Sequence, residues 1–156
     1  MEIEILTEKD TEAASQFMQK IIEEVPYYTP EAKQSQKDLY AKDAIENNLK
    51  RASHPYVIAK IGDSIVGLCD GWGDAGVFWI DWVGVGKEYR RQNIAEKIIK
   101  RLEEYTKEHQ YHKIWCDTRT NNTESIGLME KLGYARVGLL KDYWYHLDFY
   151  LWDKDL

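Results

Sequence analysis

Apolar positions along this chain change spacing several times, and the changes mark out its elements. Ile3, Ile5 and Leu6 alternate and predict a short first strand. Thr7 stands three residues before Asp10, a capping-box arrangement with Asp in the usual Glu position. Ala13, Ala14, Phe17, Met18, Ile21, Ile22 and Val25 then recur at three-to-four spacing, which predicts a helix to about Glu24. Pro26 and Pro30 bracket Tyr27-Tyr28-Thr29 as a loop with an aromatic tip. A second helix is expected over 36–51, with Leu39, Ile45 and Leu49 as its apolar stripe and His54-Pro55 as its break. Tyr56–Ile61 and Ile65–Trp72 read as a hairpin around Gly62-Asp63-Ser64. Val77–Val85 is a third strand, apolar enough to be buried on both faces. After a polar turn over Gly86–Asn93, the residues Ile94, Ala95, Ile98, Ile99, Leu102 and Tyr105 mark an amphipathic helix. Lys113–Asp117 is a strand, Asn122–Leu132 a helix stopped by Gly133, and 135–140 and 146–152 are two last strands. This order predicts one α/β domain with a mixed sheet, spanning 1–156.

Composition narrows the classes of partner. The net charge is −6, and an acidic chain is a poor general binder of nucleic acid, which needs clustered cations. Two cysteines are too few for a disulfide framework, and His54, His109, His112 and His146 show no ligand spacing with them, so no metal site is expected. No apolar run approaches the ~20 residues of a spanning helix. The N-terminus lacks a basic segment followed by an apolar one, so a soluble, cytoplasmic protein is the expectation. The charge is unevenly placed. Residues 87–107 hold seven bases against four acids, whereas 67–86 hold Asp70, Asp74 and Asp81 with no base, among Trp72, Phe78, Trp79 and Trp82. This pattern suits one anionic and one cationic ligand, or a solvated helix face beside an ordinary buried strand.

A strand that runs through a short turn into a helix leaves unpaired backbone N–H groups at the positive end of the helix dipole, an anion site. The turn here is Tyr89-Arg90-Arg91-Gln92-Asn93-Ile94-Ala95. Asn93 tolerates the left-handed backbone that such a turn needs, and Arg90 and Arg91 add cations. Neither a P-loop nor a Rossmann fingerprint is present.

The segment Val85–Ala95 resembles motif A of the GNAT N-acetyltransferases, whose core is [Q/R]-x-x-G-x-[G/A]. Asn122–Tyr134 resembles that family's motif B, roughly N-x-x-A-I-x-L-Y-E-K-L-G-F, and one helix and one strand separate the two motifs, as in the family. The resemblance implies a three-layer fold with a twisted, mostly antiparallel mixed sheet of 6–7 strands and about four helices. It implies acetyl-CoA as cofactor. The pyrophosphate is expected on Arg90, Arg91, Gln92, Asn93, Ile94 and Ala95, and the pantetheine arm along Val83, Gly84 and Val85. Asn122 and Ser125 are expected beside the cofactor. Dimers are common in the family, and an aromatic C-terminal strand offers a homodimer interface. Two departures stand out. Asn93 replaces the motif A glycine, and Met129 occupies the position of a Tyr that protonates the leaving thiolate in many members. A thioether has no proton to give.

Transfer to an amine requires removal of a proton, polarisation of the carbonyl and departure of the thiolate. Asp81 alternates with Trp79 and Val83 on a largely apolar strand, where desolvation should raise its pKa toward that of a useful base; a structural carboxylate is the alternative. Tyr143, in the Asp142–Tyr145 segment, is the preferred proton donor, with Tyr134 and Tyr145 as other candidates and solvent as the alternative. The carbonyl would be held by a strand N–H near Val83 or Val85. Asp70, Trp72 and Trp82 are expected to attract a cationic acceptor, either a small amine or polyamine or a protein N-terminus or lysine. Cys116 reads as a buried free thiol. Two rivals remain: a non-catalytic acyl-CoA-binding regulatory module on the same fold, for which Met129 argues, and a generic nucleotide-phosphate site.

Overall fold

A computed structural model describes all 156 residues as one seven-stranded sheet covered by helices on both faces. The strands are β1 (Glu2–Ile5), β2 (Tyr56–Ile61), β3 (Ser64–Asp74), β4 (Val77–Val85), β5 (Lys113–Arg119), β6 (Ala135–Leu140) and β7 (Phe149–Asp155). Their spatial order is β1-β2-β3-β4-β5-β7-β6, antiparallel throughout except for the parallel pair β4–β5. The helices are α1 (Thr11–Glu23), α2 (Pro30–Leu39), α3 (Lys42–Leu49), α4 (Ile94–Glu108) and α5 (Thr123–Lys131). No helix is long and apolar enough to cross a membrane.

The apolar stripes decide which helix covers which face. Ile94, Ile98, Ile99 and Leu102 of α4 are buried on Val57, Val66, Cys69, Phe78, Ile114 and Trp152. Burial of each such aliphatic contributes about 2 kcal/mol, an upper estimate because the unfolded chain is itself partly collapsed. On the opposite face Ala14, Met18 and Ile22 of α1 and Ile45 of α3 enclose Tyr56, Ile58 and Leu68. The Thr7–Asp10 box forms as expected, with Thr7 Oγ1 donating to Asp10 Oδ2 at 2.9 Å, and it leads into α1.

Four expectations are corrected. The helix expected over 36–51 is two helices, which raises the count to five. Pro30 occupies the first position of α2 behind Thr29, whose side chain accepts from the Ala32 N–H at 3.2 Å, so the proline opens a helix rather than closing a loop. The chain then breaks at Tyr40-Ala41, because Tyr40 turns inward to give its hydroxyl to Asp70, and Leu39 is left exposed. The last strand starts at Phe149 rather than 146, because Tyr145 and His146 adopt left-handed φ of 53° and 60°. It continues through Asp153 and Asp155 because Lys113 pairs with both.

The fourth correction concerns β4. Asp70 pairs with Trp82 and Gly71 with Ile80, so Asp81 is an extra residue without a partner on β3, a β-bulge. The bulge inverts the alternation. Phe78 and Ile80 face α4 before it, and Val83 and Val85 face α4 after it. Asp81 therefore does not share a face with Val83, and the strand is not buried on both sides, since Trp79 and Val83 are half-buried and Asp81 is accessible.

Candidate functional site

The parallel ladder between β4 and β5 is short. It joins only Val77–Trp79 to Lys113–Trp115. Beyond Trp79 the bulge bends β4 away, so Ile80–Val85 has no ladder partner on β5 and a cleft opens between the two strands. Gly71 permits this bend, because a Cβ there would stand 2.2 Å from the Trp79 carbonyl oxygen.

At the open end of β4 the turn predicted to bind an anion has the required backbone. Arg91 (φ 60°) and Asn93 (φ 59°, ψ 22°) are left-handed, and α4 starts at Ile94. Asn93 makes no side-chain cap bond, so the first-turn N–H groups of a 15-residue helix lack a capping partner in the chain. Alternation of left-handed with ordinary residues curls backbone donors into an anion-binding concavity. Gly67 lets this terminus sit low on the sheet, since a Cβ there would meet Ile94 Cγ2 at 2.9 Å. Arg90 donates from Nε to the Val85 carbonyl at 3.2 Å and ties the turn to the strand end. Glu96, in the same first turn, is neutralised by Lys100 and Lys131, which hold its carboxyl down at about 2. At the head of α5, Asn122 accepts from the Ser125 N–H at 3.2 Å, which occupies both of those groups. Gly84 is buried, with Trp82 and Ile21 beside it.

Across the cleft stand two carboxylates, one expected and one missed. Asp81 is accessible to solvent, yet the protein packed around it thins its hydration enough to push its carboxyl up to about 6. The buried Asp70 charge adds to that rise and His54 opposes it. Asp117, half-buried on β5, is also pushed up to about 6, first by desolvation and then by the charge of Asp81. Around them lie Trp82, Tyr28, Tyr27 and Tyr145. Tyr28 stands 6.1 Å from Trp82, 5.3 Å from Tyr145 and 5.1 Å from Tyr27. Burial, and after it the neighbouring Tyr27, Tyr145 and Asp117, raise the Tyr28 phenol above its ordinary value, so it is a neutral hydroxyl. Arg119, at the end of β5, lies over the Tyr27 ring at 3.3 Å.

Two residues expected to meet substrate do not reach the cleft. Asp70 is buried, with one carboxylate oxygen taking the Tyr40 hydroxyl at 2.9 Å and the other 3.4 Å from His54 Nε2, so it supports the wall behind Asp81. Trp72 is 48% exposed and pairs with Trp79, at the closed end of the β4–β5 ladder. Of the three, only Trp82 lines the cleft. Tyr143 is 45% exposed and packs on Trp144 and Phe149, and its neighbour Tyr145 is the residue that reaches Tyr28. Met129 is buried, its thioether 3.4 Å from the Cys116 thiol, and desolvation keeps that thiol protonated.

Tyr27, Tyr28, Asp117 and Arg119 were not predicted from sequence as site residues, and Tyr145 was named only as an alternative proton donor to Tyr143. The signal for Asp117 and Arg119 was present. Ile114, Cys116 and Thr118 alternate inward, which leaves Trp115, Asp117 and Arg119 together on the other face.

The family model described as Acetyltransferase (GNAT) family matches residues 15–134. A Bacillus subtilis (strain 168) protein named for ribosomal protein bS18 alanine N-acetyltransferase activity is 28% identical over 108 residues, 69% of each chain. The crystal structure of a ribosomal-protein-alanine N-acetyltransferase from Brucella melitensis superposes with a TM-score of 0.82 at 20% identity, covering 100% of both chains. The PaiA N-acetyltransferase from Thermoplasma acidophilum, solved with coenzyme A, superposes with a TM-score of 0.81 at 16% identity over 100% of both chains. At these identities the two structures share the fold.

Proposed function

The chain belongs to the GNAT acetyltransferase family and is an N-acetyltransferase, and on that premise we propose that it transfers the acetyl group of acetyl-CoA to a cationic primary amine carried by a peptide. The observation that carries the cofactor half is the uncapped, left-handed turn at the head of α4, set against the end of β4 that has no partner on β5. A pyrophosphate satisfies the N–H groups of Arg91 to Ala95 there, and Arg90 and Arg91 add positive charge. The backbone of Val83, Gly84 and Val85 offers strand-type hydrogen bonds to the pantetheine amides. Asn122 and Ser125, at the head of α5, are assigned to the cofactor's edge by the motif B resemblance. Acetyl-CoA supplies an acyl group already activated as a thioester.

The acceptor half follows from charge. Two carboxylates within an aromatic wall attract an ammonium group, and Asp81 is the proposed base. A carboxyl near 6 is mostly ionised at neutral pH and still basic enough to accept a proton from the attacking amine. Asp117 is a second carboxylate of matching strength across the cleft. The proton returned to the leaving thiolate is assigned to the Tyr143–Tyr145 turn, because Met129 cannot give one. A peptide acceptor is supported by the names of the Bacillus and Brucella proteins, both of which refer to ribosomal-protein alanine.

An acetyl-CoA thiol-release assay over polyamines, amino sugars, lysine and short peptides with free N-termini tests this reading. Release with the peptides is the expected result. The buried Met129 favours one other reading, a CoA-binding regulatory module. Saturable CoA binding with no thiol release from any amine would establish that instead.

A further inference from the structure

Arg119 is a cation without a counter-ion. Arg101 and Arg136 are tied to Glu104 and Glu130, whereas no carboxylate closes on Arg119, and its Nε is buried with no hydrogen-bond partner. Leaving a guanidinium donor desolvated and unpaired is costly, and the stacking of its Cζ 3.3 Å above the Tyr27 ring recovers only part of that cost. The same stacking holds the guanidinium plane in one orientation. Tyr27 in turn packs edge-on against Tyr28, which belongs to the wall around Asp81 and Asp117. Arg119 therefore stands at the acceptor cleft as a fixed, unsatisfied donor.

Its position relative to Asp117 is informative. The two residues share the outward face of β5, two positions apart, which places them roughly 6–7 Å from each other along the strand. A carboxylate followed at that distance by a guanidinium is complementary to a dipolar group, an ammonium with an oxygen a few bonds away. The head of a polypeptide has that form, because its α-ammonium is separated from the first carbonyl oxygen by only two carbons. A lysine ε-ammonium has no oxygen at that distance, and a polyamine would bring its second cation toward Arg119.

We propose that Arg119 binds the carbonyl oxygen adjacent to the accepting amine, which selects peptide N-termini over lysine side chains and polyamines. This rests on the transferase reading above and adds the acceptor's chemistry to it. The test compares three acceptors with the full chain and acetyl-CoA: a short peptide with a free N-terminal Ala, Nα-acetyl-lysine amide, and spermidine. The wild type is expected to favour the peptide by at least about tenfold in kcat/KM, the range of one charge-assisted hydrogen bond. Arg119→Gln should raise the peptide KM by about tenfold or more, leave CoA affinity and the slow lysine rate unchanged, and raise the spermidine rate by removing the charge that repels its second cation. Tyr27→Leu, which keeps Arg119 and removes its platform, should raise the peptide KM by less. It also serves if the glutamine variant fails to fold. Equal wild-type rates on peptide and blocked lysine, or an equal loss on all acceptors in both variants, would overturn the assignment. Thiol release from none of the three would overturn the transferase reading along with it.

Discussion

Replacement of Asn93 by proline isolates the backbone contribution to CoA binding. Asn93 has φ 59°, whereas proline fixes φ near −65°, so the substitution demands a rotation of about 125° at that residue. It also deletes the Asn93 N–H and pushes Gln92 toward extended geometry. One charge-assisted bond to phosphate contributes about 1.5–3 kcal/mol, and re-aiming the curled turn removes at least a second of similar size. The loss of about 3–6 kcal/mol corresponds to roughly 10²- to 10⁴-fold weaker CoA binding. The fold should survive. The turn is exposed, Asn93 makes no side-chain cap bond, and α4 is anchored by Ile94, Ile98, Ile99 and Leu102. A melting-temperature shift of no more than about 5 °C is expected. Asn93→Gly is the matched control, because it deletes the same side chain while glycine adopts the left-handed conformation freely, and CoA affinity should stay within about threefold. Calorimetric titration of CoA into both variants decides the matter. Wild-type affinity in the proline variant would show that the turn does not carry the pyrophosphate.

Four further outcomes follow from the cleft and the sheet. Asp81→Asn should lower kcat by about 100-fold or more with CoA affinity unchanged, and should abolish the rise of kcat/KM with pH near 6; an unaltered profile removes Asp81 from the role of base. Asp117→Asn should stabilise the fold at pH 7.5 by about 1 kcal/mol after allowance for its partial exposure. A carboxyl raised in the folded state from 3.8 to about 6 binds its proton more tightly folded than unfolded. Its penalty is therefore absent below about pH 4, grows between 4 and 6 and is complete above 6, so denaturant titrations at pH 7.5 and 3.5 should show the gain only at the higher pH. If the turn donates the proton to the thiolate, Tyr143→Phe or Tyr145→Phe should slow turnover by about tenfold or more without weakening CoA binding, and wild-type kinetics in both would assign that proton to solvent. Gly71→Ala places a methyl 2.2 Å from the Trp79 carbonyl and should cost about 2–3 kcal/mol in thermal or denaturant unfolding, because backbone cannot yield as a flexible side chain would.

Local chemistry and apolar periodicity were enough to read most of the elements and the left-handed turn at the head of α4. Ile94, Ile98, Ile99 and Leu102 predict α4 because helical geometry brings them onto one stripe, and the structure buries all four. Asn93 was legible as a left-handed residue because that preference belongs to its own side chain. The same holds for Thr7–Asp10 and for Gly133 (φ 81°), whose roles depend on neighbours a few residues away. The cleft between β4 and β5 was legible only in part, because its residues come from separate stretches of chain. Tyr27 and Tyr28 arrive from the α1–α2 loop, Asp81 from β4, Asp117 and Arg119 from β5, and Tyr145 from the β6–β7 loop. Whether a carboxylate is closed in or left accessible was likewise a tertiary matter. Asp70 was expected to face a cationic acceptor and Asp81 to act as a base, both in an acid- and tryptophan-rich segment, yet Tyr40 and His54 close over the first, while a bulge opposite Gly71 turns the second into the opening between β4 and β5. Patterning predicts how each element buries its apolar face. Register, bulges and the splay of two strands arise only when distant segments pack, and they determine which polar groups are left facing a ligand.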